Sequence, residues 1–161
     1  WVTGPQAQWR ALAQSCGPSS SSTMHVGDAT ELAALKSTLS NCTSGEVNVI
    51  WDGLVEVDGR IPINAGISLS IVGEGEAAEA TGGTVADRLF YVVDGGELTL
   101  SQLKLSNGVA SSGGAIYSSG TVTLNNCVFE NNEASAGFGG AVRAEGGEVI
   151  ITGGEFSGNK A

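Results

Sequence analysis

The side chains able to do chemistry are few and far apart. His25 is the only histidine and sits in a Ser/Thr-rich stretch. Asp52, Asp58, Asp87 and Asp94 are scattered through the middle of the chain, with Arg60 and Arg88 the arginines near them. General acid–base catalysis needs paired titratable groups at a set geometry, and this spacing offers no obvious pair, so no catalytic residue is expected. Glu74, Glu76 and Glu79 fall in the acidic stretch between Gly73 and Gly83. Hard cations want several oxygens, so a weak calcium site is the most this stretch offers. A solvated loop is the simpler reading, and no cofactor is expected. Three cysteines are present, Cys16, Cys42 and Cys127, without a Cys-x-x-Cys pair, which argues against zinc. Cys16 and Cys42 flank a helical region, and a disulfide between them would mean an oxidising compartment. Asn41-Cys42-Thr43 is an N-glycosylation sequon, which makes Asn41 a candidate acceptor.

Composition narrows the scaffold that must carry these groups. The 161 residues include 25 glycines but only 3 prolines, and charged residues make up 15%, against about 25% in ordinary domains. Apolar residues still reach 41%. Disorder pairs low hydrophobicity with high charge, so this composition describes many short strands joined by tight turns. A net charge of −10 argues against nucleic-acid binding and against docking on anionic lipid. No segment is apolar for long enough to span a membrane. No basic and apolar leader precedes Trp1, which is read as a removed signal peptide or as a piece of a longer chain.

Three regions follow from the pattern. Residues 1–27 read as an N-terminal extension or loop, with a short helix or cap over Trp9 to Gln14 and a linker at Ser19 to Ser22. Residues 28–45 hold a capping helix and its connection. Asp28 suits an N-cap with Glu31 three residues on, and Leu32, Leu35 and Leu39 recur at helical spacing over 29–41. From 46 to 161 the period is two. Strands are expected over Glu46 to Trp51, Leu54 to Val57, Ile61 to Ile63, Ile67 to Gly73 and Leu89 to Val93, with a loop from Gly73 to Gly83.

The chain then repeats. Gly96-Glu97-Leu98-Thr99-Leu100 matches Gly120-Thr121-Val122-Thr123-Leu124 and Gly147-Glu148-Val149-Ile150-Ile151, at offsets of 24 and 27. Leu103-Lys104-Leu105 matches Cys127-Val128-Phe129 and Gly154-Glu155-Phe156 at the same offsets, and Gly113-Gly114-Ala115-Ile116 matches Gly139-Gly140-Ala141-Val142 at 26. Periods of this size mark solenoids. Three short strands per repeat, without helical spacing, specify an all-β solenoid: a single-stranded parallel β-helix with an N-terminal capping α-helix. Four or five rungs stacked at roughly 4.8 Å make a rod roughly 20–24 Å tall. Alternation places Leu98, Val122 and Val149 in one interior file, Leu100, Leu124 and Ile151 in a second, and Leu105, Phe129 and Phe156 in a third. Cys127 shares inward parity with Leu103 and Gly154 and reads as a buried thiol. Ile116 and Val142 are expected inside, and Lys104, Val128 and Glu155 outside. Asn107 aligns with Asn131, and Asn132 with Asn159, as stacked corner residues.

Gly113-Gly114-Ala115-Ile116 followed by Phe129-Glu130-Asn131-Asn132 resembles the GGA(I/L/V) and FxxN repeat of chlamydial polymorphic outer membrane proteins. Gly139-Gly140-Ala141-Val142 and Phe156-Ser157-Gly158-Asn159 repeat the pair, while Leu105-Ser106-Asn107-Gly108 departs from it. The resemblance covers residues 96–161, and the earlier part looks like the cap and first rungs of pectin-lyase-like β-helices, a likeness that implies a right-handed β-helix. The repeat resemblance implies a secreted, extracellular or cell-surface fold used for adhesion or architecture. The expected function is a non-catalytic structural or adhesive module of a surface protein, filament or appendage. The alternative is the N-terminal part of a polysaccharide lyase or epimerase acting on acidic glycans. The NTD, DD, GHG and RIK motifs of polygalacturonase-like enzymes do not occur. Expected partners are further rungs of the same chain or other subunits at an uncapped C-terminal end, and surface glycans.

Overall fold

The computed structural model describes residues 23–161, so Cys16 and the Trp9 to Gln14 and Ser19 to Ser22 segments lie outside the described residues. Within them the backbone winds as a parallel β-solenoid of about five turns with one short helix near its start. Strand β1 (Thr23–Val26) precedes helix α1 (Ala29–Asn41). The first full turn is β2 (Gly45–Trp51), β3 (Leu54–Val57) and β4 (Ile61–Ile63). The second is β5 (Ile67–Gly73), β6 (Glu79–Gly82) and β7 (Phe90–Val92). The third is β8 (Glu97–Ser101), β9 (Lys104–Ser106), the two-residue β10 (Val109–Ala110) and β11 (Ile116–Ser118). The fourth is β12 (Thr121–Asn125), β13 (Val128–Glu130), β14 (Glu133–Ala134) and β15 (Val142–Ala144). β16 (Glu148–Thr152) and β17 (Glu155–Ser157) begin a fifth.

Successive turns stack strand on strand. The first face is β1-β2-β5-β8-β12-β16, the second β3-β6-β9-β13-β17 and the third β4-β7-β11-β15, with all pairs parallel. β10 and β14 form a small ladder of their own, continued by a lone bridge from Glu133 to Lys160. The register puts Leu69, Leu98, Val122 and Val149 in one file and Ile71, Leu100, Leu124 and Ile151 in the next. Ala80, Leu105, Phe129 and Phe156 make a third. Phe129 and Phe156 stack with centroids 4.6 Å apart and ring planes 4° from parallel. Each file is a column of dispersion contacts that also excludes water from the strand edges beside it.

Helix α1 replaces two strands in the turn below β2. Asp28 Oδ1 accepts from the N–H groups of Thr30 and Glu31, as an N-cap should. The Glu31 carboxylate reaches past the cap residue and accepts from the Gly27 N–H at 2.7 Å. Leu32, Leu35 and Leu39 are buried with the core, and the helix packs against β1, β3 and β4. Lys36 donates to the carbonyls of Asp58 and Gly59 at 2.7 and 2.8 Å, satisfying the corner between β3 and β4.

Several expectations need correction. Ile151 and Phe156 keep their interior files but are 50% and 46% exposed, and Val149 is half-buried. They lie on the last turn described, where no further strand stacks over them. Residues 23–26, read as loop, are strand β1 because they pair with Asn48 to Trp51. The loop expected from Gly73 to Gly83 contains β6. Its Glu-Ala-Thr-Gly run has little apolar alternation, yet it is pinned between β3 and β9.

Both repeat motifs have a mechanical explanation. In GGA(I/L/V), Gly113 and Gly139 take positive φ values of 61° and 72°, a region that favours glycine. A Cβ on Gly114 would lie 2.3 Å from the Gly140 carbonyl oxygen, so the turn above leaves no room for one. Ala115 and Ala141 are buried. In FxxN, Phe129 fills the core and Asn132 turns its amide inward, where it is fully buried. Asn132 Oδ1 accepts from the Gly108 N–H one turn below, and its Nδ2 donates to the Leu105 carbonyl. Asn159 repeats both bonds, accepting from the Asn132 N–H and donating to the Phe129 carbonyl. Asn107 and Asn131 sit at the same corner with φ of 55° each.

Candidate functional site

The sequence candidates do not converge. His25 Nδ1 lies 3.4 Å from Asp52 in an exposed pair on the first face. Asp58 is spent on the corner, accepting from the Thr84 N–H at 2.9 Å. Glu79 and Glu130 both pair with Lys104, at 3.4 and 2.7 Å, and Ser106 donates to Glu79. Among the described residues no group of three or more His, Cys, Asp or Glu side chains is placed to hold a metal ion. Asn41 is exposed at the end of α1, its amide donating to the Ser37 carbonyl. Cys42 is buried, and its expected partner Cys16 is outside the described residues. Cys127 is a buried free thiol in the interior, 3.6 Å from the Asn125 carbonyl, and burial pushes its pKa up.

What does converge is a strip on the outside of the third face. Alternation along β4, β7, β11 and β15 turns Ile61, Phe90, Ile116 and Val142 inward, and the next residue of each strand points out. Register then stacks Pro62, Tyr91, Tyr117 and Arg143 in one outward file. Arg60 and Arg88, just before β4 and β7, fold onto this file. The Arg60 guanidinium lies 5.3 Å from the Tyr91 ring centroid, and that of Arg88 lies 4.8 Å from Tyr117 and 5.7 Å from Tyr91. The two tyrosine rings stack at 5.5 Å. These are cation–π distances.

Carboxylates fix the arginines from the side. Asp87 Oδ2 accepts from Arg60 Nε at 3.1 Å, and Asp87 Oδ1 accepts from the Arg88 N–H at 2.8 Å. Arg88 Nε is 3.7 Å from Asp87, an ion pair too long for a hydrogen bond. Arg88 is only 9% exposed, and its Nε and Nη1 have no hydrogen-bond partner. Burial pulls its pKa down, with Arg60 adding to the effect and Asp87 opposing it. Arg143 reaches Glu145 at 3.4 Å, and the Tyr117 hydroxyl donates to the same carboxylate. That hydrogen bond raises the Tyr117 pKa and lowers that of Glu145.

The last member of the strip comes from a corner. Ala110 pairs with Ala134, but Ile116 pairs with Val142, so the fourth turn carries two more residues there than the third. The longer loop presents Phe138, 74% exposed, with the Arg143 guanidinium 5.3 Å from its ring.

A single-stranded parallel solenoid, with one short helix near its start and its polar chemistry on outward files, is the class these features define. Within it, residues 126–145 match the Chlamydia polymorphic membrane protein (Chlamydia_PMP) repeat. The matched stretch holds Phe129 to Asn132, the second GGA(I/L/V) motif, Phe138, Arg143 and Glu145. No curated protein and no solved structure matches the chain.

Proposed function

We propose that this chain is a non-catalytic structural or adhesive β-helix module of an extracellular or cell-surface protein, filament or appendage. The observation that carries the reading is the repeat at 126–145, a unit named for membrane proteins, built into a rod whose outer surface is available for contact. Lys104 bridges Glu79 and Glu130 across three successive turns, a structural use of charge that suits a rigid surface. No helix among the described residues is long and apolar enough to cross a membrane. An extracellular setting agrees with a Cys16–Cys42 disulfide and with a glycan on Asn41, both of which peptide mapping without reduction would detect.

Antibodies against the chain, applied to intact and to permeabilised cells of its source, test the reading. Equal labelling of both supports a surface position, and labelling that needs permeabilisation overturns it. The enzymatic alternative is checked by incubating the chain with polyuronates. Formation of new reducing ends or unsaturated uronates would overturn the non-catalytic reading.

A further inference from the structure

The strip on the third face gathers residues that are scarce elsewhere. The chain has two tyrosines, both on this strip, and all three arginines of the described residues lie on it. They come from four consecutive turns, so the strip runs about 14 Å along the rod axis at the usual strand spacing. Three guanidinium groups stand there against two carboxylates, Asp87 and Glu145, in a chain whose net charge is −10. An anion near this rod is repelled from most of its surface and tolerated here.

The groups are also held in advance. Arg88 is nearly buried, with its guanidinium against both tyrosine rings, and adds fixed positive charge there. Arg60 is tied to Asp87 through its Nε and backbone N–H, an arrangement that leaves its terminal nitrogens as donors, and its side chain is about half exposed. Arg143 is braced between Glu145 and Phe138. Side chains ordered before binding lose less entropy on it. Guanidinium groups pair with carboxylates and sulfates through two parallel hydrogen bonds. An exposed aromatic ring such as Phe138 suits the apolar C–H face of a sugar.

We propose that this arginine–aromatic strip binds a linear anionic polysaccharide along the rod axis. Its carboxylate or sulfate groups sit on Arg60 and Arg143, and one sugar face packs on Phe138. Arg88 and the stacked tyrosines position the donors. The inference deepens the adhesive part of the reading above and rests on it.

The test is binding of the purified chain to polygalacturonate, to heparin and to neutral dextran, followed by calorimetry at two salt concentrations. Binding to polygalacturonate alone assigns a carboxylated ligand and to heparin alone a sulfated one, and either supports the proposal. Added salt should weaken the binding. Arg60→Gln and Phe138→Ala, both at exposed positions, should each weaken it about tenfold while leaving the urea midpoint unchanged. Glu97→Gln, on the outside of the first face, should leave affinity unchanged or slightly raise it. Failure to bind either polyanion overturns the proposal, as does equal affinity for dextran, or unchanged affinity in both strip variants. A chain found on the cell surface that binds no polyanion would overturn this inference alone. A chain found inside cells that binds through the strip would overturn the surface reading alone.

Discussion

Asn132 is fully buried, and its amide links three successive turns: it holds the Gly108 N–H and the Leu105 carbonyl below and the Asn159 side chain above. Asn132→Ala strands a buried donor and a buried acceptor, each costing about 1–3 kcal/mol. A loss of about 3 kcal/mol in urea unfolding is expected, and Asn132→Asp should not restore it, because a carboxylate has no donor for Leu105. Cys127 gives a second expectation. Burial raises its pKa above the ordinary thiol value, so its full stability contribution is present below that value. As pH rises from there toward the folded-state value, the unfolded chain gives up the thiol proton first, and stability falls. Urea midpoints measured from neutral to mildly alkaline pH should fall more steeply for the native chain than for Cys127→Ala. A thiol reagent should label Cys127 only as fast as the rod opens.

Most elements were legible where a period was present, although β1, whose Met24 and Val26 alternate inward, was masked by the serine run before it. Leu32, Leu35 and Leu39 at helical spacing behind Asp28 marked α1, and the alternation from Val47 to Ile71 marked β2 to β5. β6 was missed because Glu79, Ala80, Thr81 and Gly82 do not alternate; neighbouring strands impose its conformation. β10 and β14 are two residues each, too short for any period. The strip was hidden for another reason. Arg60, Arg88 and Arg143 are distant in sequence, and only register brings them together. A signal was nonetheless present: Tyr91, Tyr117 and Arg143 each follow an inward residue and pair in register at steps of 26. The exposure of Ile151 and Phe156 was not legible from alternation, which fixes direction and not coverage. At this scale Gly114→Ala is the sharp test. Its Cβ would lie 2.3 Å from the Gly140 oxygen and 2.6 Å from the Glu133 nitrogen, and both are backbone atoms that cannot swing aside. A loss of about 3 kcal/mol or a failure to fold is expected, read from the urea midpoint or from soluble yield.

For the whole rod, each turn touches only the turns beside it, so stability is a sum of neighbour terms. The second and third turns are sandwiched between neighbours. Amide hydrogen exchange should therefore be slow in β5 and β8 and faster in the two-residue β10 and β14, and equal protection in all four would contradict the picture. The two additional residues ahead of Phe138 carry one more consequence. A single-residue insertion within a strand would swap inside for outside over the rest of that strand, but this corner absorbed its added length without disturbing the turns on either side. Gene duplication in blocks of roughly 25 codons can thus lengthen such a rod. Edits confined to its corners can give every copied block a different exterior while the packed interior stays the same.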